Sequence, residues 1–151
     1  MQEEHWQMPE WWYRDKRPSN GSVYFENMCR VIFQAGLNWR VIDKKWQTTK
    51  KAFANFNISD VANFTNTDVE RLMRDPGIIR NKGKIKAIIQ NAQNFIAIEK
   101  QYGSFQKYLD SLDKSNNYDN AIKDLVNKFK WLGSPSANLF LYTVGEKIDP
   151  W

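Results

Sequence analysis

The stretch QAGLNW at residues 34–39 decides how this chain begins to fold. Apolar residues recur at three- and four-residue steps both before and after it, which is the period of an α-helix. Gly36 interrupts the pattern and Asn38 is a good helix N-cap, so we predict that one helix ends and another begins here. Trp39 then stands at the start of the second helix, where a large flat ring can border a cleft.

A second stretch, GIIRNKGKI at residues 77–85, forms a Pro-Gly turn with the preceding proline and opens a long helix that ends near Gly103. Backbone amides and basic side chains at a helix N-terminus suit a phosphate group. Arg80, Lys82 and Lys84 are therefore candidate phosphate contacts, although the turn can equally serve the fold. Both stretches indicate a nucleic-acid partner.

The composition is that of one domain with its own core. We predict a single helical domain over residues 1–151, with residues 1–21 as an extended aromatic arm. The net charge of +5 and a pI near 9.3 favour a polyanionic partner. Cys29 is the only cysteine, and its apolar surroundings predict a small core residue. With no disulfide, no apolar run of membrane-spanning length and no signal peptide, we expect a monomeric cytoplasmic protein without membrane contact.

The apolar periodicity predicts an all-α fold, because no segment shows the alternation of a β-strand. The long helix is followed by a short helix, a polar loop and two further helices, the last ending at Gly145. The predicted N-caps of four helices are small hydroxyl side chains, namely Ser22, Ser59, Thr67 and Ser134.

Residues 129–137 predict two helices joined by a tight, glycine-containing turn, a helix-hairpin-helix. In such a hairpin the turn amides and the N-terminus of the second helix face the phosphates of one DNA strand. An ordinary corner between two helices is the alternative. The candidate DNA contacts are Lys128, Lys130, Gly133, Ser134 and Ser136.

The two stretches and the hairpin together resemble the 3-methyladenine DNA glycosylase I family of the helix-hairpin-helix superfamily. The resemblance runs from about Phe25 to about Phe95 and from Phe129 to Asp149. Trp131, at the position of the first hairpin glycine, matches the bulky aromatic residue of this branch. The resemblance implies a compact helical DNA glycosylase fold. It also implies a repair enzyme that hydrolyses the N-glycosidic bond of alkylated purines, such as 3-methyladenine, in double-stranded DNA.

The resemblance also implies where the base is held. Excision requires the base to leave the stack and lie against aromatic faces, and a cationic alkylated purine gains cation–π attraction there. Trp39, Tyr13 and Trp6 are the implied pocket walls, although Tyr13 and Trp6 can instead pack the arm onto the body. Asp149 is the implied catalytic carboxylate that stabilises the developing sugar cation. Its alternative is an exposed acid near the end of the chain.

The chain also departs from the family pattern. The family has a glutamate three residues before Gln34, and this chain has Val31, so base recognition must differ. The family's zinc site needs two cysteines and two histidines, whereas His5 and Cys29 are the only ones here, so we expect no metal and no cofactor. Pro135 replaces the lysine of strand-cleaving relatives, which predicts a monofunctional enzyme. A non-catalytic DNA-binding relative remains the alternative.

Overall fold

The computed structural model describes residues 8–14 and 16–150. This part of the chain folds into eight α-helices with no β-strand, so the predicted all-α fold is confirmed. A short 3₁₀-helix, Ala54–Phe56, lies between the second and third of them. The helices are α1 Gly21–Gln34, α2 Trp39–Ala52, α3 Ile58–Ala62, α4 Asn66–Met73, α5 Lys82–Tyr102, α6 Phe105–Ser111, α7 Ser115–Lys128 and α8 Ser134–Thr143. None of these helices is both long enough and apolar enough to cross a bilayer.

The helix starts follow local capping chemistry, but mostly not at the predicted residues. The Asn38 cap of α2 is confirmed, because its side-chain oxygen accepts a hydrogen bond from the Arg40 amide at 2.9 Å. The caps predicted at Ser22, Ser59, Thr67 and Ser134 are wrong. Helices α1, α3, α4 and α8 begin at earlier caps, namely Asn20, Asn57, Thr65 and Gly133. At α1, α3 and α4 several neighbouring polar residues can cap the helix, and packing of the apolar face selects one of them, whereas Gly133 precedes α8 without a side-chain cap.

The core forms around α1, which packs against α8, α5 and α2. Phe25 of α1 has ring contacts with Phe56 at 6.0 Å and Phe95 at 5.3 Å between centroids. Phe95 in turn stacks on Phe105 at 4.4 Å. Cys29 is completely buried beside this cluster, which confirms its predicted place in the core, and burial raises the pKa of its thiol well above the ordinary value.

The described part of the N-terminal arm lies across α8. The Tyr13 amide donates to the Thr143 carbonyl at 2.6 Å, and Arg14 donates to the Tyr142 carbonyl at 2.6 Å. The Arg14 guanidinium also lies 3.5 Å from the Tyr142 ring centroid. Gly145 has φ +84°, and a Cβ there would collide with the Tyr13 carbonyl. The arm therefore approaches the end of α8 closely enough to require glycine at that position.

A ring of ion pairs joins the arm to the C-terminal segment. The Glu146 carboxylate is 3% exposed and pairs with Arg17 of the arm at 2.9 Å and with Lys114 at 2.7 Å. Asp110 pairs with the same two cations at 2.9 and 3.1 Å, and the Tyr118 hydroxyl donates to Glu146 at 3.2 Å. We call Arg17, Asp110, Lys114 and Glu146 the ion-pair latch.

The latch joins the N-terminal arm to the segment after α8, and its donor set does not fit a zinc ion. Zinc in structural sites is held by cysteine and histidine, whereas the latch pairs carboxylates with cations. Within residues 8–14 and 16–150, no group of three His, Cys, Asp or Glu side chains could hold a metal ion. His5 lies outside the described residues, so the absence of zinc stays a prediction.

Candidate functional site

The turn between α1 and α2 presents large apolar side chains to solvent. Gly36 adopts φ +77°, a left-handed conformation that glycine takes without strain, so α1 stops at Gln34 and α2 restarts at Trp39. Leu37 is 41% exposed and Trp39 is 40% exposed. The Trp39 ring meets the Trp12 ring edge-on at 6.4 Å between centroids, which supports it from the arm side.

Trp39 lines a cleft of about 330 Å³ between this turn and the first turn of α8. The polar side chains that line the cleft are Gln34 and Ser136, and no carboxylate of the described residues lines it. A surface depression of larger volume, about 540 Å³, lies between α4 and α5, but its polar, charged and apolar lining includes no aromatic ring. The cleft is lined by Val31, Gln34, Ala35, Gly36, Leu37, Trp39, Pro135, Ser136 and Leu139.

Gln34 carries an unpaired polar group at the cleft. The side chain is 2% exposed, and its Oε1 accepts a hydrogen bond from Arg30 Nε at 3.4 Å. Its Nε2 is buried without a hydrogen-bond partner among the described residues. Arg30 is held in turn by an ion pair with Asp43 and lies 4.7 Å from the Trp11 ring centroid and 5.0 Å from that of Trp46.

The departure from the family pattern at Val31 lies on the wall of this cleft. Val31 is 1% exposed and precedes Gln34 by one turn of α1. Its side chain can neither accept a hydrogen bond nor balance a positive charge. The deeply buried polar group of this wall is therefore the Gln34 amide.

The hairpin between α7 and α8 is fixed by two asparagines of α5, the buried Asn91 and the partly buried Asn94. Asn91 is fully buried, accepts from the Lys130 amide at 2.7 Å and donates to the Lys130 carbonyl at 3.0 Å. Asn94 donates to the Lys128 carbonyl at 2.8 Å. Trp131, at the position where the common motif has glycine, itself adopts φ +60° and leaves 55% of its surface exposed.

The second sequence stretch joins both walls of the cleft. Lys84 is 6% exposed, and its Nζ donates to the Phe33 carbonyl at 3.3 Å and the Ala35 carbonyl at 3.0 Å, at the end of α1. A Cβ at Gly83 would come within 2.7 Å of the Trp131 ring, so the hairpin rests directly on the start of α5. GIIRNKGKI thus positions the α1–α2 turn and the hairpin relative to each other.

This arrangement corrects the phosphate contact predicted for Lys84. Its ammonium is buried and bonded to two carbonyls, and burial lowers its pKa, so the side chain is not available to DNA. Arg80 and Lys82 are exposed on the surface before and at the start of α5. Their contact with phosphate stays a prediction.

The hairpin residues predicted to contact DNA differ in how accessible they are to a phosphate. Lys130 is exposed and makes no ion pair with any described residue, whereas Lys128 pairs with Asp124 at 3.2 Å and lies 4.5 Å from the Tyr108 ring centroid. Gly133 and Ser134 are exposed at the N-terminus of α8, and Ser136 is partly buried in the cleft wall.

Of the three predicted pocket walls, the structure places Trp39 in the cleft. Tyr13 lies in a separate depression of about 470 Å³ that it lines together with Trp11, Trp46 and Glu26. Trp6 lies outside the described residues. The alternative for Tyr13, packing of the arm, agrees with its backbone bond to α8.

Asp149 does not line the cleft. It is exposed, and its amide donates to the Asn117 side chain at 2.8 Å while its carbonyl accepts from Asn117 at 3.3 Å. These bonds attach the C-terminal segment to the start of α7. The catalytic role of Asp149 stays a prediction that this position does not support.

Sequence reasoning did not identify the buried polar residues that hold the cleft wall and the hairpin in place. Arg30 stands alone as a charge among the apolar residues 28–33, a signal that could have been noticed. Asn91 likewise interrupts the apolar face of α5. Lys84 gave no such signal, because its partners are carbonyls of a helix fifty residues earlier.

Comparisons with known proteins agree on one family. Residues 3–134 match the family described as methyladenine glycosylase. The DNA-3-methyladenine glycosylase of Haemophilus influenzae is 33% identical over 101 residues, which are 67% of this chain and 55% of that protein. DNA-3-methyladenine glycosylase 1 of Escherichia coli is 31% identical over 139 residues, covering 80% of this chain and 74% of that protein.

Solved structures give the same result. The 3-methyladenine DNA glycosylase I of Staphylococcus aureus, described for its recognition of 3-methyladenine, superposes with a TM-score of 0.77 at 30% identity. That match covers 89% of this chain and 80% of the other. A tyrosine-to-phenylalanine variant of a 3-methyladenine DNA glycosylase I, in complex with 3-methyladenine, has a TM-score of 0.74 at 31% identity, covering 89% and 81%.

Proposed function

Because the chain belongs to the methyladenine glycosylase family, we propose that it is a monofunctional DNA glycosylase that hydrolyses the N-glycosidic bond of alkylated purines such as 3-methyladenine. The observation that carries the proposal is the cleft in which an exposed tryptophan, Trp39, faces the first turn of the hairpin's second helix. An extruded base entering this cleft meets an aromatic face on one side. Action as a monomer on cytoplasmic DNA is part of this proposal.

The chemistry asks little of the protein, because the leaving group is activated by its own charge. N3-alkylation leaves the purine cationic in DNA. When the C1′–N9 bond breaks, its electron pair neutralises the departing base, and a water oxygen bonds to C1′ with loss of a proton. Trp39 holds the cationic base by stacking and cation–π attraction, while Val31, Leu37 and Leu139 exclude bulk water from it.

The DNA backbone is proposed to lie on the hairpin. Gly133 has φ −81°, and a Cβ there would make only an ordinary contact with Pro135 at 3.8 Å. Neither the backbone nor the packing within the protein requires glycine at this position. We infer that the missing side chain leaves room for a phosphate against the exposed amides at the start of α8. Leu37, exposed at the mouth of the cleft, supplies an apolar contact to unstacked bases.

Lys130→Ala is expected to weaken duplex binding about three- to tenfold and to reduce the slope of log affinity against log salt by about one. The reason is that the Lys130 ammonium is exposed and has no ion-pair partner among the described residues. Lys128→Ala is the matched control with a smaller expected effect, because its ammonium is already paired with Asp124. Fluorescence anisotropy with a labelled duplex at several salt concentrations measures both. Equal salt slopes for Lys130→Ala and the parent would show that Lys130 does not contact DNA.

The activity itself is tested by release of bases from methylated duplex DNA, separated by chromatography. We expect release of methylated purines without strand cleavage, and no protein–DNA adduct after borohydride treatment, because Pro135 has no amine to form a Schiff base. DNA binding without any release above background would instead support the non-catalytic alternative.

A further inference from the structure

We propose that Gln34 recognises the edge of the extruded purine with its side-chain NH₂, and that the cleft therefore favours 3-methylguanine over 3-methyladenine. This inference rests on the proposed glycosylase function and specifies its substrate. It assigns to Gln34 the polar contact that Val31 cannot make.

The first step is the unpaired state of the Gln34 amide. Its Nε2 is buried at the cleft without a partner among the described residues, although nearly all buried polar groups in proteins have one. Such a group is destabilising when the cleft is empty and gains its hydrogen bond when a ligand with an acceptor arrives. Gln34, a residue of the cleft lining, thus carries a buried donor that the fold itself leaves unused.

The second step is the orientation of the amide. Arg30 Nε donates to Gln34 Oε1 at 3.4 Å, and a guanidinium has no acceptor, so the oxygen must face Arg30. Arg30 cannot easily turn away, since it is held by Asp43 and lies over the rings of Trp11 and Trp46. The NH₂ group of Gln34 is consequently the one left for a ligand.

The third step is the chemistry of the two bases. Guanine presents adjacent acceptors at O6 and N7, whereas adenine presents N7 beside the N6 amine, which is a donor. An acceptor on the cleft wall would be needed to pair that amine, and Val31 provides none. Apart from Gln34, only Ser136 among the lining residues has a polar side chain, and its single hydroxyl can accept a hydrogen bond. Guanine thus offers the Gln34 donor two adjacent acceptors, whereas adenine offers N7 alone and has only the Ser136 hydroxyl for its amine. A keto purine therefore fits this wall better than an amino purine.

The test measures the ratio of 3-methylguanine to 3-methyladenine released from one preparation of methylated DNA by the parent and three variants. Gln34→Leu removes the donor and should lower release of 3-methylguanine about tenfold more than that of 3-methyladenine, which is the loss of one good hydrogen bond. Gln34→Glu and Val31→Glu each place an acceptor at the wall, and both should shift the ratio toward 3-methyladenine. Thermal unfolding checks that each variant is folded. Ratios that are the same in the parent and both Gln34 variants would overturn the assignment.

A second measurement separates this inference from the glycosylase proposal. Free 3-methylguanine is titrated into ¹⁵N-labelled protein, and the Gln34 side-chain NH₂ signals are identified by their absence in Gln34→Glu. We expect these signals to shift more with 3-methylguanine than with 3-methyladenine, whether or not the parent releases bases from DNA. A parent that releases nothing but shows the shift would refute the catalytic proposal alone. No shift with either base would refute the role of Gln34.

Discussion

Replacing Trp39 with alanine is expected to reduce release of methylated purines by about ten- to a hundredfold while the protein stays folded. Stacking of one base on an aromatic side chain contributes about 1–3 kcal/mol, and the cationic charge of the base adds to it. The stability effect is small because the ring is 40% exposed and meets the Trp12 ring only edge-on. Single-turnover release at saturating enzyme measures the effect, and thermal unfolding monitors the fold.

Asp149→Asn is the matched control for this experiment. The residue is exposed and attached through its backbone to Asn117, outside the cleft, so we expect base release within about threefold of the parent. A loss of about a hundredfold would instead show that the carboxylate acts on the transition state. Unchanged release by Trp39→Ala would mean that the base is held elsewhere, and the depression beside Tyr13 would be the next candidate.

Replacing Glu146 with alanine is expected to lower the free energy of unfolding by about 2–3 kcal/mol. Removing one partner of a buried ion pair costs about 3–5 kcal/mol, and the lower figure reflects that Arg17 and Lys114 keep about 30% exposure and can be rehydrated. The melting temperature should then fall by about 5–10 °C for a chain of this length. Asp119→Ala, which breaks the exposed Lys123–Asp119 pair, is the control and should cost less than about 0.5 kcal/mol. Equal effects of the two variants would show that the latch contributes no more than a surface pair.

The latch also predicts how stability depends on acid. Burial raises the pKa of Asp110, but hydrogen bonds from Arg17 and Lys114 lower it more, so its pKa in the folded protein lies below the ordinary 3.8. The stabilisation it provides is present above that ordinary value and is lost as the pH falls through the lower pKa of the folded state. Asp110→Asn should accordingly weaken the fall in stability between neutral pH and the acid range. Denaturant unfolding of both proteins at several pH values measures this difference.

The sequence alone determines the helices and the break between α1 and α2, because both depend on interactions between residues close together in the chain. Gly36 adopts the left-handed φ that few other residues tolerate, and the Asn38 side chain bonds to an amide two residues away. Both effects act within a few residues, so the place of Trp39 at the start of a helix was predictable before any packing was known. The same holds for the core stripe of α1, including Cys29.

Only the tertiary structure decided which polar groups meet. Judged from the sequence of its own helix, Lys84 would be a cation on the surface. It is buried because the carbonyl end of α1 lies over it. The Gln34 amide has its orientation because Arg30, fixed by Asp43, donates to its oxygen. Tyr13 is directed to another depression by the path of the arm. Each of these outcomes depends on contacts between elements that are distant in the chain. There the cost of desolvation and the pairing of buried polar groups determine which side chains meet, and no local sequence pattern contains that information.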